Sequence, residues 1–387
     1  MRDKSLLKEI IQIRRQIHRY PELGDNEFKT AGLIEKVLKS LRIPHRRLTR
    51  TGIVATLKGG SPGPCVALRA DMDALPLTET SRKPYASRIP GVMHACGHDA
   101  HVAMLLGAAK LLSKNRDFNG TVKFFFQPNE EGAGGAKSLI AKGAMRQPPV
   151  EAVFGLHVNP RVRAGAVAVK EGPLMAAVDR FEIEIQGEGG HAAYPHEGRD
   201  AIAMASELVL ALQTIVSRKI DPLEPVVLTV GTLEAGTRYN ILAGKARMSG
   251  TVRTLSEKVH AQIPGFIRRL AGGITQAHGG TFRLAYETIG SVLRNDAAMA
   301  ALARSVAGGI VGKANVFDMD KASMGGEDFS EYLKSAPGCF IYIGTGKIGS
   351  KMVPWHHSAF DIEEKALLTG AKLLCGIARE FLSRHAS

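Results

Sequence analysis

The chain has 387 residues, 44% hydrophobic and 23% charged, and a formal net charge of +14. That length exceeds one small core, so two domains are expected, and the balance is that of an ordinary globular protein, not a disordered or fibrous one. The basic residues are spread along the chain without an aromatic strip, so nucleic-acid binding is not expected, and we read no run approaching the roughly 18–20 apolar residues of a membrane span.

The first ten residues lack an uninterrupted apolar core, so no signal peptide is expected. Cys65, Cys96, Cys339 and Cys375 are scattered, which suits a reducing cytoplasm and leaves Cys96 available to a metal. Residues 5–19 read as a helix, with Leu6, Leu7, Ile10, Ile13 and Ile17 on one stripe, ended at Pro21. His18, Glu22 and Glu27 near this break read as structural. A second helix is expected over about 28–41. Short apolar runs at 53–57, 65–70, 121–126 and 152–156 read as strands. The last three end in Asp71-Met72-Asp73, Gln127-Pro128-Asn129-Glu130-Glu131 and His157. With crossover helices at about 99–113 and 134–142, these ends share one edge of an α/β sheet, where sites are built.

The pattern changes near residue 178. Residues 178–186 alternate, with Phe181, Ile183 and Ile185 on one side, and a Gly-rich turn with His191 follows. Asp200 can cap a helix running to about 217. Strands at 226–233 and 246–253, a helix at 255–277 and a strand at 281–289 complete a split βαβ order. The expected architecture is therefore α/β: a mixed sheet flanked by helices, formed by residues 1–177 and 289–387, with a ferredoxin-like βαββαβ domain inserted at 178–288. A helix at 295–311, a strand at 339–343, the run Trp355-His356-His357-Ser358 and a final helix at 367–382 finish the first domain.

The densest chemistry lies at 94–101, where His94, Cys96, His98, Asp99 and His101 stand on a loop at or just before a helix start. A helix N-terminus favours negative charge, so a Cys96 thiolate is expected. The donors Cys96, His98, Glu131, His157 and a late histidine at 357 combine thiolate, imidazole and carboxylate, which suits Zn²⁺ and also Mn²⁺, Co²⁺ or Ni²⁺. Five donors exceed the usual three of a single catalytic zinc, so two ions sharing Cys96 are expected. Side chains of adjacent residues on extended backbone diverge. Of Glu130 and Glu131, one can therefore bind metal while the other faces a metal-bound water as general base.

Arg69-Ala70-Asp71-Met72-Asp73-Ala74-Leu75-Pro76, Met93-His94-Ala95-Cys96-Gly97-His98-Asp99, Gln127-Pro128-Asn129-Glu130-Glu131-Gly132 and Gly189-Gly190-His191-Ala192-Ala193-Tyr194-Pro195-His196 resemble the M20 metallopeptidases. The resemblance is to their amidohydrolase branch, with hippurate hydrolases, N-acyl-amino-acid amidohydrolases and auxin-conjugate hydrolases. It spans nearly the whole chain in order. It implies Cys96, His98, Glu131, His157 and His357 as ligands of two ions, with His356 as the competitor of His357, and Glu130 as base. It also implies that Asp73 orients a ligand, His191 stabilises the oxyanion, and Asn240 and Arg253 bind substrate. The inserted domain would mediate a homodimer. Two positions depart from the pattern: Asn129, where many relatives have Ala, and Ala243, where Pro is common.

The activity expected is hydrolysis of N-acyl amino acids, hippurate-like, by a metal-bound hydroxide formed with Glu130. The inserted domain would close on hinges near 175–178 and 288–291. Within the same family the rivals are an N-acetyl-diaminopimelate-type deacetylase and a dipeptidase. From another class the rival is a binding module for metal or amino acid that has lost catalysis.

Overall fold

The computed structural model describes residues 3–347, 349 and 351–385. The chain forms two compact units, one of Met1–Gly172, Arg294–Lys321 and Asp328–Ser387, the other of Pro173–Leu293 and Ala322–Glu327.

The first unit is built on an eight-stranded mixed sheet. Its order is His45–Arg47, Ile53–Lys58, Asn119–Gln127, Ser61–Asp71, Ala152–Arg163, Gly338–Gly346, Val167–Val169, Val316–Asp318. The four central strands are parallel. Their runs of Val, Leu, Phe and Ala are buried without alternation, as expected for strands covered on both faces. Register puts Asp71 opposite Gln127 and Arg69 opposite Gly155, so Asp71, Gln127 and His157 come level at one edge.

The helix His98–Lys114 packs against Asp3–Arg19 and Ala366–Arg384. It is buried on every side from His98 to Ala109, so over that stretch it is a core helix. Ala152–Arg163 runs well past the expected end at 156, because Val158 and Asn159 go on pairing with Ile343 and Gly344. His157 therefore lies inside a strand. The three-residue strands at the sheet edges were not expected from sequence, since such short pieces carry no periodic signal.

The second unit holds a four-stranded antiparallel sheet, order Val226–Ala235, Lys245–Thr254, Ala177–Gln186, Thr281–Gly290. Helices Ala201–Thr214 and Glu257–Ala277 pack on it. The order and connections are those of a ferredoxin-like domain. Phe181, Ile183 and Ile185 are buried in its core with Met204, Leu208, Ile263 and Ile267. Asp200 caps the first helix, its carboxylate accepting the backbone N–H groups of Ile202 and Ala203. The stretch Ala201–Lys219 is, by length and composition alone, apolar enough to cross a membrane, a test that core helices also pass. Here one side of it, with Met204, Ala205, Leu208, Leu212 and Ile215, packs into the domain core.

Candidate metal centre

Gly97 shapes the loop between the two donors of the Cys96-Gly97-His98 turn. It sits at φ 97° as the residue preceding the helix, and a Cβ there would lie 2.4 Å from Val158 Cγ2. Only glycine accepts both conditions, and its absence of side chain lets Cys96 and His98 approach the strand that carries His157. Cys96 Sγ is 3.4 Å from His157 Nε2.

Two three-donor groups share Cys96: Cys96 with His98 and His157, and Cys96 with Glu131 and His356, each with its ligand atoms within 4.8 Å of one another. A third group joins His98, Glu130 and Glu131. Each imidazole of the first group has its other nitrogen engaged. His98 Nδ1 lies 3.2 Å from Asp73 Oδ1, and His157 Nδ1 donates to the Val158 carbonyl at 2.8 Å, so both present Nε2 inward. Asp73 also accepts the backbone N–H of Glu131 at 3.0 Å, which ties the two donor loops together.

The residues fit a pair of divalent cations. His98 Nε2 is buried and makes no hydrogen bond among the described residues, an arrangement that is costly without a further partner. Burial disfavours charge on His98, yet Asp71 and Cys96 hold its imidazole well above its ordinary range. A cation at Nε2 would take the place of that proton. Burial, with His101 beside it, keeps His157 neutral, the form that ligates. The Cys96 thiol is pushed up to about 12 by burial, although His98 pulls the other way. This corrects the expectation that the helix N-terminus alone stabilises a thiolate: the thiolate needs a cation beside it.

The late histidine needs a correction. His356, not His357, faces the cluster: its Nε2 is 3.3 Å from Glu131 Oε1, and it completes the second group with Cys96. Its backbone is left-handed at φ 61°, and its N–H donates to the Ala95 carbonyl at 2.9 Å, which fastens it to the Cys96 loop. Trp355 Nε1 donates to the Val158 carbonyl at 2.9 Å, holding the same loop to the strand of His157. His357 instead accepts the N–H of Ala359 through Nδ1 at 3.1 Å, within its own turn.

Other contributors carried little sequence signal. His101 Nδ1 donates to Asp71 Oδ1 at 2.6 Å, and its Nε2 accepts the Val158 N–H at 3.0 Å, so it braces the peptide after His157. Arg69 donates to Asp71 Oδ2 at 2.7 Å, Asp328 Oδ1 at 3.0 Å and Gln127 Oε1 at 2.8 Å. That buried network joins two strand ends. The spacing of His98 and His101, one helical turn apart, was the available clue to a shared face.

His191, Asn240 and Arg253 lie in the second unit. His191 pairs with Ile241 in a two-stranded ribbon, and Ala192 N–H donates to the Asn240 carbonyl at 3.2 Å, so the first two residues are neighbours. His191 Nδ1 accepts the Ala193 N–H at 3.1 Å, leaving Nε2 on an exposed ring. Arg253 lies on Lys245–Thr254, opposite Val227 on one side and Val178 on the other.

Residues 67–380 match the family model for Peptidase family M20/M25/M40. The chain is 43% identical over 384 residues to N-acetyl-L-cysteine deacetylase of Bacillus subtilis (strain 168), covering 98% of this chain and 90% of that one. It is 45% identical over 282 residues to N-acyl-L-amino acid amidohydrolase of Geobacillus stearothermophilus, covering 72% of this chain and 76% of the relative. The crystal structure of Bacillus subtilis YXEP, described as a dinuclear metal binding peptidase from the M20 family, superposes with a TM-score of 0.86 at 35% identity, covering 98% of this chain and 99% of that one. The chain belongs to peptidase family M20/M25/M40.

Proposed function

We propose that this amide hydrolase cleaves N-acyl amino acids to a carboxylic acid and a free amino acid, with Glu130 as general base beside two divalent cations. The observation that carries this reading is the sharing of Cys96 between two donor groups, with Glu130 in neither of them. Cys96, His98, Glu131, His157 and His356 would hold the ions, Zn²⁺ or Mn²⁺ above Co²⁺ or Ni²⁺ for this donor set. When bound, such ions supply Lewis acidity that activates water and polarises a carbonyl.

Glu130 does the proton work. Its Oε2 is 4.0 Å from His98 Nε2 and its side chain is 12% exposed, so it is close to the donors yet reachable by water. It takes a proton from the attacking water and hands it to the leaving amine nitrogen. Asp73 holds His98 and the Glu131 peptide in place. His191 donates Nε2–H to the developing oxyanion, and Arg253 and Asn240 receive the substrate carboxylate.

Two copies of the chain pair through the second unit. The strand Val226–Ala235 ends its sheet, and Leu210, Leu223 and Leu233 are exposed near it in sequence. The cysteines are all unpaired, which supports a reducing, cytoplasmic setting. An acetyl group as the preferred acyl is favoured by the likeness to the N-acetyl-L-cysteine deacetylase.

The test is a panel of benzoyl-, acetyl- and dipeptidyl substrates on protein reconstituted with defined metals, run beside Glu130→Gln. We expect turnover of at least one N-acyl amino acid, a fall in kcat of about 100-fold or more in the variant, and unchanged metal content. Near-normal hydrolysis by Glu130→Gln would remove the base assignment. Metal binding without turnover of any panel member would favour the binding-module alternative.

A further inference from the structure

The turn that carries Glu130 and Glu131 is gripped from the segment between the first two helices. Asn129, which opens the turn, is left-handed at φ 51°, a conformation uncommon outside glycine that asparagine tolerates when locally bonded. Its backbone N–H donates to Glu27 Oε1 at 3.0 Å. Its side-chain amide donates to Asp25 Oδ2 at 2.7 Å. A Cβ at Gly24 or Gly132 would come within 2.4 or 2.2 Å of Asn129 Oδ1, so both glycines make room for that side chain.

Past Asn129 the turn closes on itself. The Asn129 carbonyl accepts from Gly134 and Gly135 at 3.3 and 3.2 Å, and the Glu130 carbonyl accepts from Ala133 at 2.7 Å. The backbone rotation at Asn129 therefore decides where the next two carboxylates point. Glu27 is the buried end of the grip: it is 0% exposed, and its second oxygen accepts the Thr51 hydroxyl at 2.7 Å. Among the described residues Glu27 belongs to none of the groups of candidate metal donors.

We propose that Glu27 is a positioning residue: by accepting the Asn129 N–H it holds that residue left-handed and aims Glu130 and Glu131 at the reacting centre. The inference rests on the function proposed above. Burial pushes the Glu27 carboxyl up to about 7, with Asp73 adding to the rise while the Thr51 and Asn129 donors oppose it. In both protonation states an oxygen remains to accept from Asn129, so the grip depends on shape and an acceptor, not on charge. Glutamine keeps both.

The experiment compares Glu27→Ala, Glu27→Gln and Glu130→Gln with the parent enzyme. It reads kcat and KM on the best panel substrate at saturating Mn²⁺, and Mn²⁺ affinity of metal-free protein by calorimetry. Glu27→Ala is expected to lower kcat about 10- to 100-fold, leave KM within about twofold, and weaken Mn²⁺ binding about tenfold. Glu27→Gln should recover both to within about threefold of the parent, since its amide oxygen can still accept. Parental kcat and Mn²⁺ affinity in Glu27→Ala would overturn the proposal, as would a glutamine variant as impaired as the alanine one.

An active Glu130→Gln would sink the base assignment alone, because the Mn²⁺ titration needs no turnover. Should Glu27→Ala fail to fold, Thr51→Val loosens the same carboxyl more gently. It should cost about two- to fivefold in kcat and in Mn²⁺ affinity, and parental values for it would overturn the proposal.

Discussion

His356 and His357 are adjacent in sequence, and the left-handed backbone of His356 turns their rings to different work. The first meets Glu131 and Cys96, while the second bonds within its own turn. The Glu131 contact raises the His356 imidazole above its ordinary range, which shows how strongly that ring feels the carboxylate. The ligand role proposed for His356 and the turn role of His357 predict different responses to truncation. His356→Ala is expected to weaken binding of one of the two ions about 10- to 100-fold and to lower activity with it, whereas His357→Ala should stay within about threefold of the parent on both. Stoichiometry by metal analysis, read beside calorimetric Mn²⁺ titration, checks this. Loss of an ion in His357→Ala and not in His356→Ala would reinstate the order expected from sequence.

Among the elements, the parallel strands Ser61–Asp71 and Asn119–Gln127 matter most, because their ends deliver the site. Arg69 is buried between them and satisfies Asp71, Gln127 and Asp328 together. Burial pushes the Asp328 carboxyl up to about 6 even though Arg69 works to lower it, so that carboxylate depends on its cation. Arg69→Met would keep the volume and leave two buried carboxyls without their guanidinium. A broken buried ionic network of this kind costs about 3–5 kcal/mol. Urea unfolding of the metal-free protein at neutral pH measures it, and a change below about 1 kcal/mol would show that strand packing alone holds these ends. Lys123 plays a neutral part by comparison: its ammonium donates to the carbonyls of Ala144, Arg146 and Pro148 and pins the loop after the helix Gly135–Ala141.

For the molecule as a whole, the second unit presents an unpaired sheet edge and an apolar helix flank. Edge strands invite pairing with another chain, and Leu210 is 71% exposed on the helix Ala201–Thr214 while Leu233 is 46% exposed on the edge strand Val226–Ala235. A twofold arrangement would bury both in a self-complementary contact. The double variant Leu210→Glu with Leu233→Glu is expected to run at monomer mass in light scattering, with the far-ultraviolet circular dichroism of the parent. A parent protein that is itself monomeric at micromolar concentration would discard the paired assembly.

The strand ends at Asp71-Met72-Asp73 and Glu130-Glu131, the Cys96-Gly97-His98 turn and the βαββαβ order of the second unit were legible in the chain because each is local. Apolar runs, turn residues and donor spacing within a few positions carry that information. The choice between His356 and His357 was not, since it depends on a hydrogen bond to Ala95 and a left-handed backbone angle that no local pattern encodes. Nor was the protonation of Cys96, because burial is a property of the packed interior and overrides the helix end beside it. The grip of Glu27 on Asn129 joins segments far apart in sequence. Such pairings exist only once strands have set register and helices have closed over them, which is why local composition offered the candidate donors and tertiary packing decided which way they face.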